Sequence, residues 1–239
     1  MNQTADQPVD STVAETSEPA DPAPAKPAEP QREITIEEVD VANPIVVKGR
    51  ARTFENNVVV RARGADGKII TETFTTSEGE SGQHNPYRAT IWLARDPGDR
   101  VTIEALEYSA KDGSERSLVS TTKPFTVEQT DVRLFVPDAD CNGVHPVSRR
   151  APKSVAIARL LVEMLIAEPQ PFPEGSRVNS VILRDGVITV DFNERLQNVG
   201  GSCAAQMIRA ATTKTLQQLP SVKRVVITAG GSEKLALQP

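Results

Sequence analysis

The sequence predicts two folded domains in series, an all-β sandwich followed by a small two-layer α+β domain, after an acidic proline-rich segment. Three observations predict this arrangement. Apolar and polar residues alternate from Glu33 to about Glu128, two segments after Asp131 have helical periodicity, and the residues before Glu33 have almost nothing to bury. The predicted boundaries are 1–32 for the acidic segment, 33–129 for the sandwich, 130–231 for the α+β domain and 232–239 for a tail.

The first 32 residues are predicted to be a disordered spacer. They hold six of the 18 prolines and six acidic residues against Lys26 and Arg32, so −4 of the net charge of −5 lies in this segment. Because it has few apolar side chains to bury, the entropy cost of ordering it is not offset. We expect a stalk that carries the folded domains, with a dispensable tail as the alternative. The rest of the chain is near neutral and has no basic stripe, so no nucleic-acid partner is expected.

The sandwich is predicted from seven short segments of alternating character. Asp-Gly turns at 66–67 and 112–113 and the Asp-Pro-Gly-Asp turn at 96–99 separate several of them. This pattern is typical of an antiparallel sandwich of immunoglobulin type. Trp92 and Phe125 are expected to be its largest core residues. The predicted strands are 33–39, 45–53, 58–63, 68–75, 87–94, 100–108 and 118–127.

The α+β domain is predicted from a change of period after Asp131. A strand at 132–136 precedes an apolar helix at 155–167, which Pro169 ends. Two strands at 177–183 and 187–192, a helix at 202–219 and a strand at 222–228 complete the order β-α-β-β-α-β. Such an order predicts a two-layer domain with both helices on one face of a small sheet.

Both domains resemble known bacterial families. The segments Val47-Lys-Gly-Arg-Ala-Arg-Thr-Phe-Glu55, Val58 to Gly67 and Ser109 to Ser114 resemble the immunoglobulin-like domain of bacterial spore germination. The second domain resembles the GerMN domain of sporulation and germination proteins. It does so in Leu134-Phe-Val-Pro-Asp138, Val147-Ser-Arg149, the helix ending near Leu165, Val181 to Gly186, Val190-Asp-Phe192 and Thr215-Leu216. One departure is Glu168-Pro169, where such domains usually have Gly-Pro.

The resemblance implies a non-catalytic interaction or scaffolding protein of the bacterial envelope, often a lipoprotein. It would be extracytoplasmic and anchored through a segment missing from this chain. The expected partner is a protein or a cell-wall component, without a small-molecule cofactor. Related modules assemble into rings, so a homo-oligomer is a further expectation. Contact would come from an edge strand of the sandwich or the exposed face of the small sheet.

Cys141 and Cys203 are the only cysteines. The first and third strands of a β-α-β-β-α-β sheet usually lie side by side, and the two cysteines follow those strands. We therefore expect a structural disulfide, which persists only in an oxidising compartment; two buried free thiols are the alternative. A catalytic thiol at Cys203 or beside His145 is disfavoured because no relay of side chains accompanies it.

No catalytic or metal site is expected. Asp138-Ala-Asp140-Cys-Asn142-Gly143 matches the first half of a calcium loop, but Arg149 stands where the bidentate Glu belongs. Asp191 is expected to cap backbone N–H groups in the loop before the second helix, and Arg149 and Arg150 to form surface salt bridges or to meet an anionic partner. The alternative function is a cell-wall-modifying or hydrolytic enzyme. Its site would lie in the interdomain cleft and would gather Asp138, Asp140, His145 and Asp191.

Overall fold

The computed structural model describes Met1 and residues 33–169, 171–197 and 199–238. The predicted stalk therefore lies outside the described residues, except for Met1. The described residues from Glu33 onward belong to one compact unit, which contains an all-β part and an α+β part.

The all-β part is a sandwich of a three-stranded and a four-stranded antiparallel sheet. The first has the order β1-β2-β5 and the second β4-β3-β6-β7. The predicted seven strands are all present, and the immunoglobulin-like fold class is confirmed. The strands are β1 (Ile34–Asp40), β2 (Ile45–Ala51), β3 (Asn57–Arg63), β4 (Ile69–Thr76), β5 (Asn85–Ile91), β6 (Arg100–Tyr108) and β7 (Glu115–Pro124).

The sandwich core follows the alternation, with one exception to the prediction. Phe125 is buried in the core, as expected. Trp92 is only half-buried and is not a member of that core, because Tyr87, Ala89 and Ile91 already occupy the inward positions of β5. The two-residue period therefore directs Trp92 to the opposite face, where it meets the α+β domain.

The α+β part contains the predicted elements and one additional strand. Its elements are β8 (Gln129–Pro137), β9 (Val144–Pro152), α1 (Ile157–Ala167), β10 (Val178–Arg184), β11 (Val187–Phe192), α2 (Ser202–Gln217) and β12 (Arg224–Ala229). The sequence analysis did not predict β9. Its sequence contains Pro146 and Pro152 and little alternation, and proline is tolerated only in strands that leave some backbone N–H groups unpaired.

The strand pairing of this part differs from the expected single sheet. β8 pairs only with β9, in a two-stranded antiparallel sheet, whereas β10, β11 and β12 form a separate sheet in that order. Both helices contribute to two hydrophobic clusters, one shared with the three-stranded sheet and one with the β8–β9 hairpin. The hairpin thus covers the side of the helices that a two-layer domain would leave exposed.

The two parts are joined through buried polar contacts. The Asn43 side chain is buried; its amide nitrogen donates to the Pro152 carbonyl at 3.0 Å, and its amide oxygen accepts from the Leu93 N–H at 3.1 Å. Because buried amide groups are costly when unpaired, these bonds hold the end of β9 against the sandwich.

Candidate binding site beside the Cys141–Cys203 disulfide

Cys141 and Cys203 form a disulfide, with Cα atoms 6.0 Å apart and a sequence separation of 62. The predicted bond is confirmed, but the strand arrangement from which it was inferred is wrong. β8 lies along α2 and not beside β11. The Phe135 N–H donates to Thr215 Oγ1 at 2.9 Å, and Gln218 Nε2 donates to the Arg133 carbonyl at 2.7 Å. These contacts bring the loop after β8 to the first turn of α2.

The polar groups of the loop 138–143 form hydrogen bonds within the loop and with His145 just after it. The Asp138 N–H donates to the Gly143 carbonyl at 2.9 Å, and Asp138 Oδ1 lies 2.6 Å from His145 Nδ1. Asp140 accepts hydrogen bonds from the backbone and side-chain nitrogens of Asn142. Cys141 has a φ of 63°, in the left-handed region. Among the described residues there is no group of three His, Cys, Asp or Glu side chains arranged to hold a metal ion.

A cavity of about 320 Å³ lies against this disulfide. Apolar side chains from β8, the segment after α1 and the start of α2 supply most of its wall, and Asp138 and Glu168 add acidic groups. The two cysteines line it as a disulfide, so neither can act as a thiolate nucleophile. The cavity therefore suits binding of an apolar group, not covalent chemistry. Its lining residues are Val136, Pro137, Asp138, Ala139, Cys141, Glu168, Pro169, Pro171, Cys203, Ala204 and Met207.

Glu168, where the resemblance expects glycine, ties α1 to the hairpin. Arg149 Nε and Nη2 donate to its two carboxylate oxygens at 2.8 and 3.0 Å. The hydrogen bonds that Arg149 donates to Glu168 raise the pKa of Arg149 above its usual value. Glu168 is extended, as the residue before Pro169 must be. Arg149, which stands where a calcium loop would have its bidentate Glu, thus pairs with a carboxylate after α1. This agrees with the predicted salt bridge for Arg149.

Asp191 caps a different loop from the predicted one. Its Oδ1 accepts from Thr228 Oγ1 at 2.6 Å and from the Gly231 N–H at 2.8 Å, and its Oδ2 accepts from Asn179 Nδ2 at 2.9 Å. Burial raises the pKa of Asp191, but the three hydrogen bonds outweigh it and hold that pKa below its ordinary value. The prediction placed this cap in the loop before α2; the structure places it after β12, because β12 is parallel to β11 and ends beside it.

A second cavity, of about 380 Å³, lies between the sandwich and the α+β part. Asp138, Asp140, His145 and Asp191 do not line it, so the cluster expected for a hydrolytic enzyme is not gathered there. Its lining residues are Thr71, Glu72, Thr73, Thr90, Ile91, Trp92, Arg159, Glu163, Arg177 and Val178.

Arg159 is the central contact of this junction. Its Nε donates to Glu163 at 2.8 Å, its Nη2 donates to the Val178 carbonyl at 2.6 Å, and its guanidinium carbon lies 5.5 Å from the Trp92 ring centroid. Burial raises the pKa of Glu163, although Arg159 opposes the effect. This contact was not predicted from the sequence. A signal was present, since Arg159 and Glu163 are a charged i,i+4 pair on an otherwise apolar helix.

The outer face of the four-stranded sheet contains a buried charge cluster around Arg61. The Arg61 side chain is 3% exposed and pairs with Glu104 through Nε, while Nη1 and Nη2 donate to Glu115 at 2.6 and 3.0 Å. The hydrogen bonds that Arg61 donates to Glu115 are the largest cause that raises the pKa of Arg61 above its usual value. Glu104 also accepts from Arg63 at 2.9 Å.

Each of the two parts matches a known family. Residues 30–114 match the family described as "Immunoglobulin-like domain of bacterial spore germination", and residues 125–235 match the family described as "Sporulation and spore germination". No curated protein matches the chain.

One solved structure with a similar part is the crystal structure, at 2.5 Å, of a candidate lipoprotein from Clostridium perfringens. It is 14% identical, covers 44% of this chain and 76% of its own, and has a TM-score of 0.29. In the part of the chain that the structure describes, no helix has the length and hydrophobicity needed to span a membrane.

Proposed function

Since this chain joins an immunoglobulin-like domain of bacterial spore germination to a sporulation and spore germination domain, we propose that it is a non-catalytic interaction or scaffolding protein. It works in the bacterial envelope, on the extracytoplasmic side. The observation that carries the proposal is the pairing of these two families along one chain. Neither family description names an enzymatic activity.

The uncovered face of the sheet β10-β11-β12 is the proposed contact surface for a protein partner. Both helices pack on its other face, against Ile188, Val190 and Phe192. On the uncovered face, Ile182 pairs with Thr189, which pairs in turn with Val226. Ile182 is 45% exposed, and β10 is an edge strand of the sheet. An exposed apolar side chain on an unpaired edge favours sheet packing or strand addition.

Site-specific cross-linking tests the contact. A photoreactive amino acid at position 182 is expected to capture a discrete partner in the native organism. The matched control is position 118, because Leu118 is 52% exposed and lies on β7 of the sandwich. Partner capture from 182 alone, lost when Thr189→Glu places a charge on the cross-strand neighbour of position 182, supports the contact. Equal capture from both positions, or none from 182, contradicts it.

The disulfide supports the extracytoplasmic location, because such bonds persist in oxidising compartments. Free thiols in intact cells are blocked with a maleimide before any reductant is added, and the protein is then reduced and labelled with a second, heavier maleimide. We expect Cys141 and Cys203 to carry only the second label. Labelling of both cysteines by the first reagent would exclude the proposed location.

A further inference from the structure

A third cavity, of about 290 Å³, lies on the sandwich and is lined by aromatic and acidic side chains. It opens on the face of β3 that carries Val59, opposite the face that carries the core residues Val58 and Val60. The lining residues are Phe54, Glu55, Asn57, Val59, Phe74, Glu107, Tyr108 and Ala110. No lysine or arginine is among them.

The aromatic walls are unusually exposed for their size. Phe54 is 63% exposed and Phe74 is 47% exposed, although large apolar side chains normally gain free energy from burial. Two such rings beside one cavity form a surface that a ligand could cover. The Tyr108 hydroxyl donates to Glu72 at 3.0 Å, which fixes the ring of the third aromatic residue.

The wall of the cavity carries two carboxylates, Glu55 and Glu107, and Arg116 of β7 is the cross-strand neighbour of Glu107. Neither Glu55 nor Glu107 forms a salt bridge with a cation among the described residues. Glu107 Oε1 accepts the Phe54 N–H at 2.8 Å, so this carboxylate also positions the aromatic residue. The backbone beside Phe54 adopts an unfavourable left-handed conformation: Glu55 and Asn56 have φ values of 53° and 59°.

Aromatic rings with nearby carboxylates bind organic cations, since the ring face attracts positive charge and the carboxylates neutralise it. The chain itself contains an example. The guanidinium carbon of Arg177 lies 4.8 Å from the centroid of the Phe74 ring. Arg177 lines the cavity between the two parts and not this one, but its guanidinium already covers one side of the Phe74 ring.

We propose that this aromatic and acidic cavity of the sandwich binds an arginine or lysine side chain from a basic segment of a partner protein. The negative charge of Glu55 and Glu107 selects a cation, and Phe54 with Phe74 supplies the ring surface that it covers. This site is on a different domain from the proposed contact on β10 and does not depend on it.

Calorimetric titration of the full chain tests the proposal. The probes are an acetylated Gly-Arg repeat peptide, a Gly-Lys repeat peptide and a Gly-citrulline peptide, which keeps the shape of arginine without its charge. We expect the two basic peptides to bind, with an affinity that falls as salt rises, and the citrulline peptide not to bind.

Two variants localise the binding. Phe54→Ala should weaken it about two- to fivefold, the share of one exposed cation–π contact, and Glu55→Gln with Glu107→Gln roughly tenfold or more. Glu107→Gln retains an acceptor for the Phe54 N–H. The matched controls are Leu118→Ala and Glu78→Gln, which change exposed residues elsewhere on the sandwich, and thermal unfolding verifies that every variant folds.

Several results would overturn the proposal. They are equal affinity for the citrulline peptide, unchanged affinity in the Phe54 and glutamate variants, or binding of choline with no binding of either basic peptide. Loss of binding in the control variants would also overturn it. None of these outcomes bears on capture from position 182, so the two proposals fail separately.

Discussion

Breaking the Cys141–Cys203 disulfide should lower the free energy of unfolding by about 4 kcal/mol. The bond closes a loop of 62 positions, and the chain-entropy relation converts such a loop to roughly 14 cal/mol/K of denatured-state entropy, or about 4 kcal/mol at 25 °C. Cys141 is exposed and Cys203 is half-buried, so serine at both positions leaves no fully buried polar group. The native contacts of β8 with α2 also remain. The cost therefore falls mainly on the denatured state.

The assay is denaturant unfolding of the double variant Cys141→Ser with Cys203→Ser, compared with the oxidised protein. Far-UV circular dichroism follows the helices. The fluorescence of Trp92, the only tryptophan, follows the junction, because Arg159 of α1 lies over its ring. Reductant should lower the midpoint of the wild type and leave the double variant unchanged. A loss below about 1 kcal/mol, or an equal effect of reductant on both proteins, would refute the chain-entropy argument.

Three further predictions concern stability and titration. Arg61→Met should lower the free energy of unfolding by about 1–3 kcal/mol in denaturant titrations, since buried Glu104 loses one of its two guanidinium partners and keeps only Arg63; Arg63→Met, at a more exposed site, is the control and should cost less. Asp191→Asn should cost about 1–3 kcal/mol at pH 7, because its amide nitrogen faces a donor. Because hydrogen bonds hold the pKa of Asp191 below its ordinary value, its carboxylate stabilises the folded protein fully above about pH 4, and this stabilisation is lost as the pH falls further. The Asp191→Asn variant should therefore lose less stability in acid than the wild type. An equal loss in both proteins would contradict the prediction. Burial raises the pKa of Tyr87, and burial with a hydrogen bond to a carboxylate raises that of Tyr108. Alkaline absorbance titration should therefore show both tyrosines ionising above pH 10, and the free energy of unfolding should fall in the same pH range. Tyr87→Phe should remove the ionisation step at the higher pH. Ionisation of either tyrosine at its ordinary pKa would contradict the burial argument.

The sandwich was the most predictable part of the molecule. Each strand has one buried face, so its alternation is visible in sequence, as in Val101-Thr-Ile103 of β6. The same rule could have placed Trp92 correctly, since it stands one residue after inward-facing Ile91. Trp92 was predicted to be a core residue because of its large side chain, although the alternation places it on the opposite face from Ile91.

The β8–β9 hairpin was not predictable by the same rule. β9 pairs along nine residues with β8, yet Pro146 and the charged pair Arg149 and Arg150 hide it from any periodic pattern. Its contacts are made to β8 and to helices that are distant in sequence. Only the folded chain reveals that this segment is extended and that its Arg149 pairs with Glu168 at the end of α1.

The sequence by itself determined the two folded parts and their order, because local periodicity needs few distant partners. It also limited the disulfide to one possible pair, since the chain has two cysteines, but the strand arrangement that brings them together came only from the fold. The tertiary structure decided which elements become neighbours. β8 lies on α2 instead of on β11, Asp191 reaches the turn after β12, and Arg159 of α1 meets Trp92 of the sandwich. These contacts depend on side-chain packing and on the pairing of buried polar groups across long separations, which no local pattern encodes.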